Sequence, residues 1–131
     1  MKFAIPALLI FFVCYGCKKA AGPGGNSSIK GKVIIRKFNF NPSVPQYLYS
    51  YPDMGDNVYI TYGSQPGVGN SVNTDMNGEY YFQYLYPGTY SIYVYSKDTT
   101  LTNVSGQLVA KQDINLGSGS NATLPDIVIA K

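Results

Sequence analysis

The sequence predicts an all-β protein, a single seven-stranded antiparallel β-sandwich, on three observations. The chain of 131 residues holds 13 Tyr, 14 Gly and 8 Pro, a composition of strands and turns. No stretch sustains the 3.6-residue period of an amphipathic helix. Short apolar-polar alternations recur instead, separated by clusters of Gly, Pro, Asn and Asp. The length suits one domain with a real core and is too short for two.

Each element follows from its residues. Ile29 to Phe38 opens with Ile29, Gly31 and Val33 against Lys30 and Lys32, so the lysines and Arg36 face water. Asn39 to Gly55 carries Pro42, Pro45 and Pro52 and reads as a long loop with a short edge segment at Gln46–Tyr51. Asp56 to Tyr62 puts Val58, Ile60 and Tyr62 on one side, and Ser71 to Thr74 is a short strand. Asp75-Met76-Asn77-Gly78 is a hairpin turn, in which Asn and Gly supply left-handed positions. Glu79 to Leu85 returns with Tyr80, Phe82 and Leu85 toward the core. The step from Phe82 to Leu85 breaks alternation and predicts a bulge. Thr89 to Ser96 is the clearest strand, with Tyr90, Ile92 and Val94 inward. Gly106 to Leu116 and Asn121 to Ala130 are the last two, split by Gly117-Ser118-Gly119-Ser120.

Several chemistries are excluded or disfavoured at once. With no His, imidazole metal sites and His-based triads cannot form. Charged residues make up 13 %, which argues against nucleic acid as a partner. The carboxylates (Asp53, Asp56, Asp75, Glu79, Asp98, Asp113, Asp126) are scattered over turns and strand ends, whereas glycosidase chemistry needs two held about 5–9 Å apart in a cleft. Asn73, Asp75, Asn77 and Gly78 mimic the start of a calcium loop. Its twelfth position is Tyr84 rather than Glu, so a plain turn is expected, with no metal and no cofactor.

The first residues carry an address. Met1-Lys2 is a positive start, and Phe3 to Val13 is an apolar run of eleven residues. A bilayer needs about 20, so the run fits the core of a signal peptide over residues 1–16. Gly16-Cys17 directly after it resembles a bacterial lipobox, in which the chain is cut before the cysteine and the cysteine is acylated. That resemblance makes Cys17 the lipidation site, and several acyl chains on one residue give stable membrane attachment. It also leaves Cys14 and Cys17 no disulfide to form. Lys18 and Lys19 follow where an Asp would imply inner-membrane retention, so the outer membrane is expected. Residues 17–28 read as the lipidated cysteine and a flexible tether, rich in Gly, Ala and Ser, and 29–131 as the folded domain.

A second resemblance concerns the domain. Asn73-Thr74-Asp75-Met76-Asn77-Gly78-Glu79-Tyr80-Tyr81-Phe82, then Leu85, then Pro87-Gly88-Thr89-Tyr90, is similar to the turn-and-strand signature of carboxypeptidase-regulatory-like domains. These are transthyretin-like, Ig-like sandwiches. The resemblance implies a non-enzymatic accessory module, binding or structural, at the cell envelope, with an envelope protein or a glycan as partner.

The tyrosines are the unusual feature, twelve of them lying between Tyr47 and Tyr95. If Tyr62, Tyr80 and Tyr90 face inward, Tyr59, Tyr81, Tyr93 and Tyr95 face outward. The resemblance sets their strands side by side, so they are expected to cluster on one solvent face. Such a cluster is either cross-strand aromatic pairing or a contact face for glycan or protein. Tyr47, Tyr49 and Tyr51 in the proline-rich segment would extend it. A carbohydrate-binding module using these tyrosines is the rival function.

The N-terminal address generates one prediction. Replacing Cys17 by Ser should shift the protein out of the membrane fraction or leave it unprocessed; an unchanged membrane fraction on cell fractionation would refute acylation at Cys17.

Overall fold

The computed structural model describes residues 19–41, 43–100 and 105–131. Cys14, Cys17 and the signal segment lie outside the described residues. The described chain forms nine strands in two sheets. They are β1 (Pro23–Asn39), β2 (Gln46–Pro52), β3 (Asn57–Tyr62), β4 (Asn70–Asn73), β5 (Glu79–Leu85), β6 (Gly88–Lys97), β7 (Gln107–Leu116), β8 (Asn121–Thr123) and β9 (Ile127–Ala130).

Sheet I is organised on β1. Along one edge β1 pairs antiparallel with β5 and then β2; along the other it pairs parallel with β8 and then β9. Val33 marks the handover on the first edge: its amide donates to the Gly78 carbonyl (2.8 Å) and its carbonyl accepts from the Asp53 amide (2.9 Å). Sheet II is antiparallel in the order β4-β3-β6-β7. The two sheets close on one core, to which β1, β5 and β9 bring Ile29, Val33, Tyr80, Phe82 and Ile129, and β3, β6 and β7 bring Val58, Ile60, Tyr90, Ile92 and Leu116. This is a β-sandwich.

Three expectations are corrected. The strand count is nine rather than seven, because Gln46–Pro52 is a full strand and the last predicted strand is broken at Leu124-Pro125-Asp126, where Pro125 has no amide to donate. The sheets are not wholly antiparallel, since β8 and β9 join β1 in parallel. And β1 begins at Pro23, inside the expected tether. Ser27 and Ser28 are buried there: the Ser27 hydroxyl donates to the Gly117 carbonyl (2.7 Å), and the Ser28 hydroxyl to Asn121 Oδ1 (2.7 Å). Partners ninety residues away make a strand of a segment with no periodicity of its own.

The local expectations for the β4–β6 region hold in part: the Asp75–Gly78 turn forms and Gly78 is left-handed, but Asn77 is not, and the turn carries the chain from β4 in sheet II to β5 in sheet I instead of closing a hairpin. Asp75 Oδ1 accepts from the Asn77 and Glu79 amides (2.8 and 2.9 Å), and Gly78 sits at φ 76°, where a side chain would press on the Val33 carbonyl. Beyond Phe82 the ladder slips as expected: Ile29 faces Phe82 but Ser27 faces Leu85, so two steps on β1 meet three on β5. Tyr84 absorbs the difference at φ 58°.

Two core tyrosines use their hydroxyls differently. Tyr90 accepts from the Gly22 amide (2.8 Å) and donates to the Tyr86 carbonyl (2.6 Å), tying β6 to the entry of β1. Tyr80 crosses β1 over Gly31, where any side chain would collide with its hydroxyl, and that hydroxyl is buried without a partner. Burial pushes its pKa up to about 12, the Asp126 charge adding to the effect.

The contrast is testable by denaturant unfolding. Tyr90→Phe strands the buried Gly22 amide and should cost about 1–3 kcal/mol. Tyr80→Phe removes a hydroxyl that bonds to nothing and should be neutral or stabilising; equal losses in the two variants would refute the distinction.

Candidate functional site

The tyrosines named from the sequence fall into three groups. Tyr59 on β3 and Tyr93 on β6 are cross-strand partners, stacked at 5.2 Å and 19°. Tyr95 closes the triad at 5.6 Å from Tyr59 and 5.8 Å from Tyr93. Stacking takes up one face of the Tyr59 ring and one face of the Tyr93 ring. Burial, with Tyr95 and Tyr59 close by, raises the Tyr93 pKa. The triad therefore does the work of cross-strand pairing.

Tyr81 does not join it. It lies on β5, in sheet I, because β5 pairs with β1 and not with β3 or β6. The expected single cluster is thereby corrected to a triad and a separate residue.

Tyr47, Tyr49 and Tyr51 lie on β2, an edge strand exposed along its whole length. Tyr49 and Tyr51 neighbour each other at 5.7 Å. A bulge separates Tyr47 from them, since one step from Lys37 to Phe38 on β1 matches two steps from Tyr49 to Tyr47. Tyr47 meets Phe38 at 5.9 Å, and the Arg36 guanidinium lies 4.8 Å over its ring. On the opposite side of Phe38, Phe40 carries the Lys97 ammonium at 4.7 Å.

The outer face of sheet I holds a groove of about 760 Å³. Its floor follows from the register. Lys30 sits between Tyr81 on β5 and Thr123 on β8; Lys32 faces Glu79, and Ser28 faces Asn121. Opposed residues share a face, so these side chains converge outward. Asp75 and Asp126 stand at the margins, and the buried Tyr80 adjoins them. Tyr81 is half-exposed and, among the described residues, meets no other ring, so its face is free. The groove thus combines an aromatic face with ammonium, carboxylate, amide and hydroxyl groups, and its volume is that of a small-ligand site. From the sequence only Tyr81 was a candidate contact residue; Asp75, Glu79 and Asp126 entered as scattered carboxylates, and their convergence was not foreseen. The alternation of Lys30 and Lys32 was visible, but β8 as their neighbour was not.

Most carboxylates have structural employment. Asp53 and Asp56 both face the Lys131 ammonium, Asp75 holds its turn, Asp98 accepts from the Thr100 amide (2.8 Å), and Asp113 accepts from Ser91 and pairs with Lys111 at 3.5 Å. Among the described residues no group of three acidic or thiol side chains is placed to hold a metal ion.

The comparisons with known proteins add little. No family model matches the sequence, so the carboxypeptidase-regulatory-like resemblance rests on its motif alone. No curated protein matches either. A solved structure from Pseudomonas aeruginosa, provisionally described as a carbohydrate binding protein, is similar over 89 % of this chain and 94 % of its own, with 12 % identity and a TM-score of 0.49. Nothing about the ligand of this chain follows from so distant a likeness.

Asp53 offers a pH test. It is fully buried, its Oδ1 is 3.6 Å from Lys131 Nζ, and neither oxygen has a hydrogen bond of ordinary length. Burial raises its pKa above 3.8, and the Lys131 charge offsets only part of the rise. The native state therefore keeps a proton in a pH range where the unfolded chain has lost it, so this group's contribution falls as pH rises from 3.8 through the raised value. Unfolding measured across that range should show wild type losing stability relative to Asp53→Asn with rising pH; a gain instead would mean that Lys131 outweighs burial.

Proposed function

We propose that the chain is a lipid-anchored, non-enzymatic binding module of the cell envelope whose groove on sheet I takes a hydroxyl-rich carbohydrate ligand. The observation that carries the ligand reading is Tyr81, a free aromatic face set beside Lys30, Thr123 and the Ser28–Asn121 pair. A sugar ring offers an apolar C–H face to such a ring. Its hydroxyls both donate and accept, matching a site that mixes ammonium, carboxylate, amide and hydroxyl groups.

Other observations support the remaining parts. The Gly16-Cys17 motif after an apolar run favours acylation at Cys17, and the following lysines favour the outer membrane. Five of the seven carboxylates are committed to ion pairs or turns, and the chain has no His, which speaks against catalysis. The two remaining, Glu79 and Asp126, sit in the groove as hydroxyl acceptors. Of the two sequence-level alternatives, carbohydrate recognition is thus favoured over a purely structural module. It passes through Tyr81, with Tyr59, Tyr93 and Tyr95 serving the sheet.

A glycan array or polysaccharide pull-down with the folded domain tests this. Tyr81→Ala should lower affinity about tenfold, a loss of roughly 1.4 kcal/mol. Tyr59→Ala should lower stability and leave affinity unchanged. Binding that survives Tyr81→Ala but fails in Tyr59→Ala would move the ligand to sheet II and defeat the assignment.

A further inference from the structure

We propose that a pocket between the two sheets, at the end of β1 remote from the tether, binds the anionic group of an acidic ligand, a carboxylate or phosphate carried on a glycan. It is a second site, separate from the groove. The cavity measures about 360 Å³ and is lined by Lys37 from sheet I, Tyr95, Ser96 and Lys97 from β6, Gln107 from β7, and Lys131 after β9. Three lysines line it and no acidic side chain does.

Of the three charges only that of Lys131 is neutralised from within. Lys131 turns its ammonium to Asp53 and Asp56, and its main-chain oxygen takes the Phe38 amide. Lys37 and Lys97 have no carboxylate partner among the described residues; Lys97 lies over the Phe40 ring, which leaves its positive charge in place. The guanidinium of Arg36, adjacent to Lys37, lies over the Phe38 and Tyr47 rings and has no carboxylate partner among the described residues. Asp98, next to Lys97 in the chain, is buried and accepts from Thr100. Ser96 seals the floor, accepting from the Ala130 amide at 2.8 Å. Residues 29–131 hold seven basic and seven acidic side chains, a net charge of 7 − 7 = 0. Arg36, Lys37 and Lys97, none with a carboxylate partner among the described residues, thus gather at one end of a neutral domain. An oxyanion entering the pocket is drawn by Lys37 and Lys97, the two lining lysines without a carboxylate partner among the described residues.

Position selects the source of the anion. β1 runs from Pro23 to Asn39, and from Ser27 to Lys37, at about 3.3 Å per residue, it sets this pocket roughly 33 Å from the tether end. An anchored domain would hold it away from its own membrane, toward soluble or surface glycans. Only this choice of source rests on the proposed anchoring.

The test is a chemical-shift titration of the folded domain with inorganic phosphate, with glucuronate and with vesicles of anionic phospholipid. Phosphate and glucuronate should saturate one site, more weakly as salt is raised. The double variant Lys37→Gln/Lys97→Gln should lose at least about tenfold in affinity, while Lys30→Gln/Lys32→Gln keeps it. Equal loss in both variants, or none in the first, would overturn the site. Binding to vesicles alone would overturn the glycan as its source. Tyr81→Ala, which disables the groove, should leave anion binding intact, so the two sites fail separately.

Discussion

The structure depends on a single strand having both of its edges occupied. β1 is seventeen residues long and carries β5 and β2 end to end on one side and β8 and β9 end to end on the other. Every other element of sheet I reaches the sheet only through it. Backbone amides and carbonyls inside a fold must be paired, and a strand this long can stay regular only if partners come from several parts of the chain. Val33 shows how the constraint is met, its amide satisfied by Gly78 before β5 and its carbonyl by Asp53 after β2. The same rule draws Ser27 and Ser28 out of the tether, because the turn after β7 offers Gly117, Ser120 and Asn121 to their hydroxyls and amides.

The tyrosines divide by what their rings and hydroxyls touch. Tyr90 uses its hydroxyl as a clasp between sheets, whereas Tyr80 uses its ring to cover Gly31 and leaves its hydroxyl idle. Tyr59, Tyr93 and Tyr95 saturate one another. Tyr47 takes up the Arg36 cation. Tyr81, on an edge strand beside Lys30 of β1, meets no other ring among the described residues. An abundance of one residue type is thus no measure of a binding surface; the faces left over after mutual pairing are.

Charge is distributed in a similar way. Asp53 and Asp56 hold the Lys131 ammonium and Asp75 its turn, while at the far end of β1 Arg36 and Lys97 lie over aromatic rings. A neutral domain can in this manner present one surface to hydroxyl-rich ligands and another to anions.

By itself the sequence determined what is local. The alternation of Glu79–Leu85 and Thr89–Ser96 placed Tyr80, Phe82, Tyr90, Ile92 and Val94 in the core, where all are buried. The Asp75–Gly78 turn and the slip between Phe82 and Leu85 were readable because a turn and a bulge are set by residues within a few positions of each other. Tertiary structure alone decided which strands are neighbours. It put Tyr81 in a different sheet from Tyr59, and brought β8 beside Lys30 to complete the groove. It split Tyr47 from Tyr49 through a bulge against β1, and gathered Lys37, Lys97 and Lys131 at one end. Period and turn chemistry say which side of a strand a residue occupies, but pairing is chosen by contacts up to ninety residues apart. Both proposed sites are built from such contacts, so neither could be found in the order of residues along the chain.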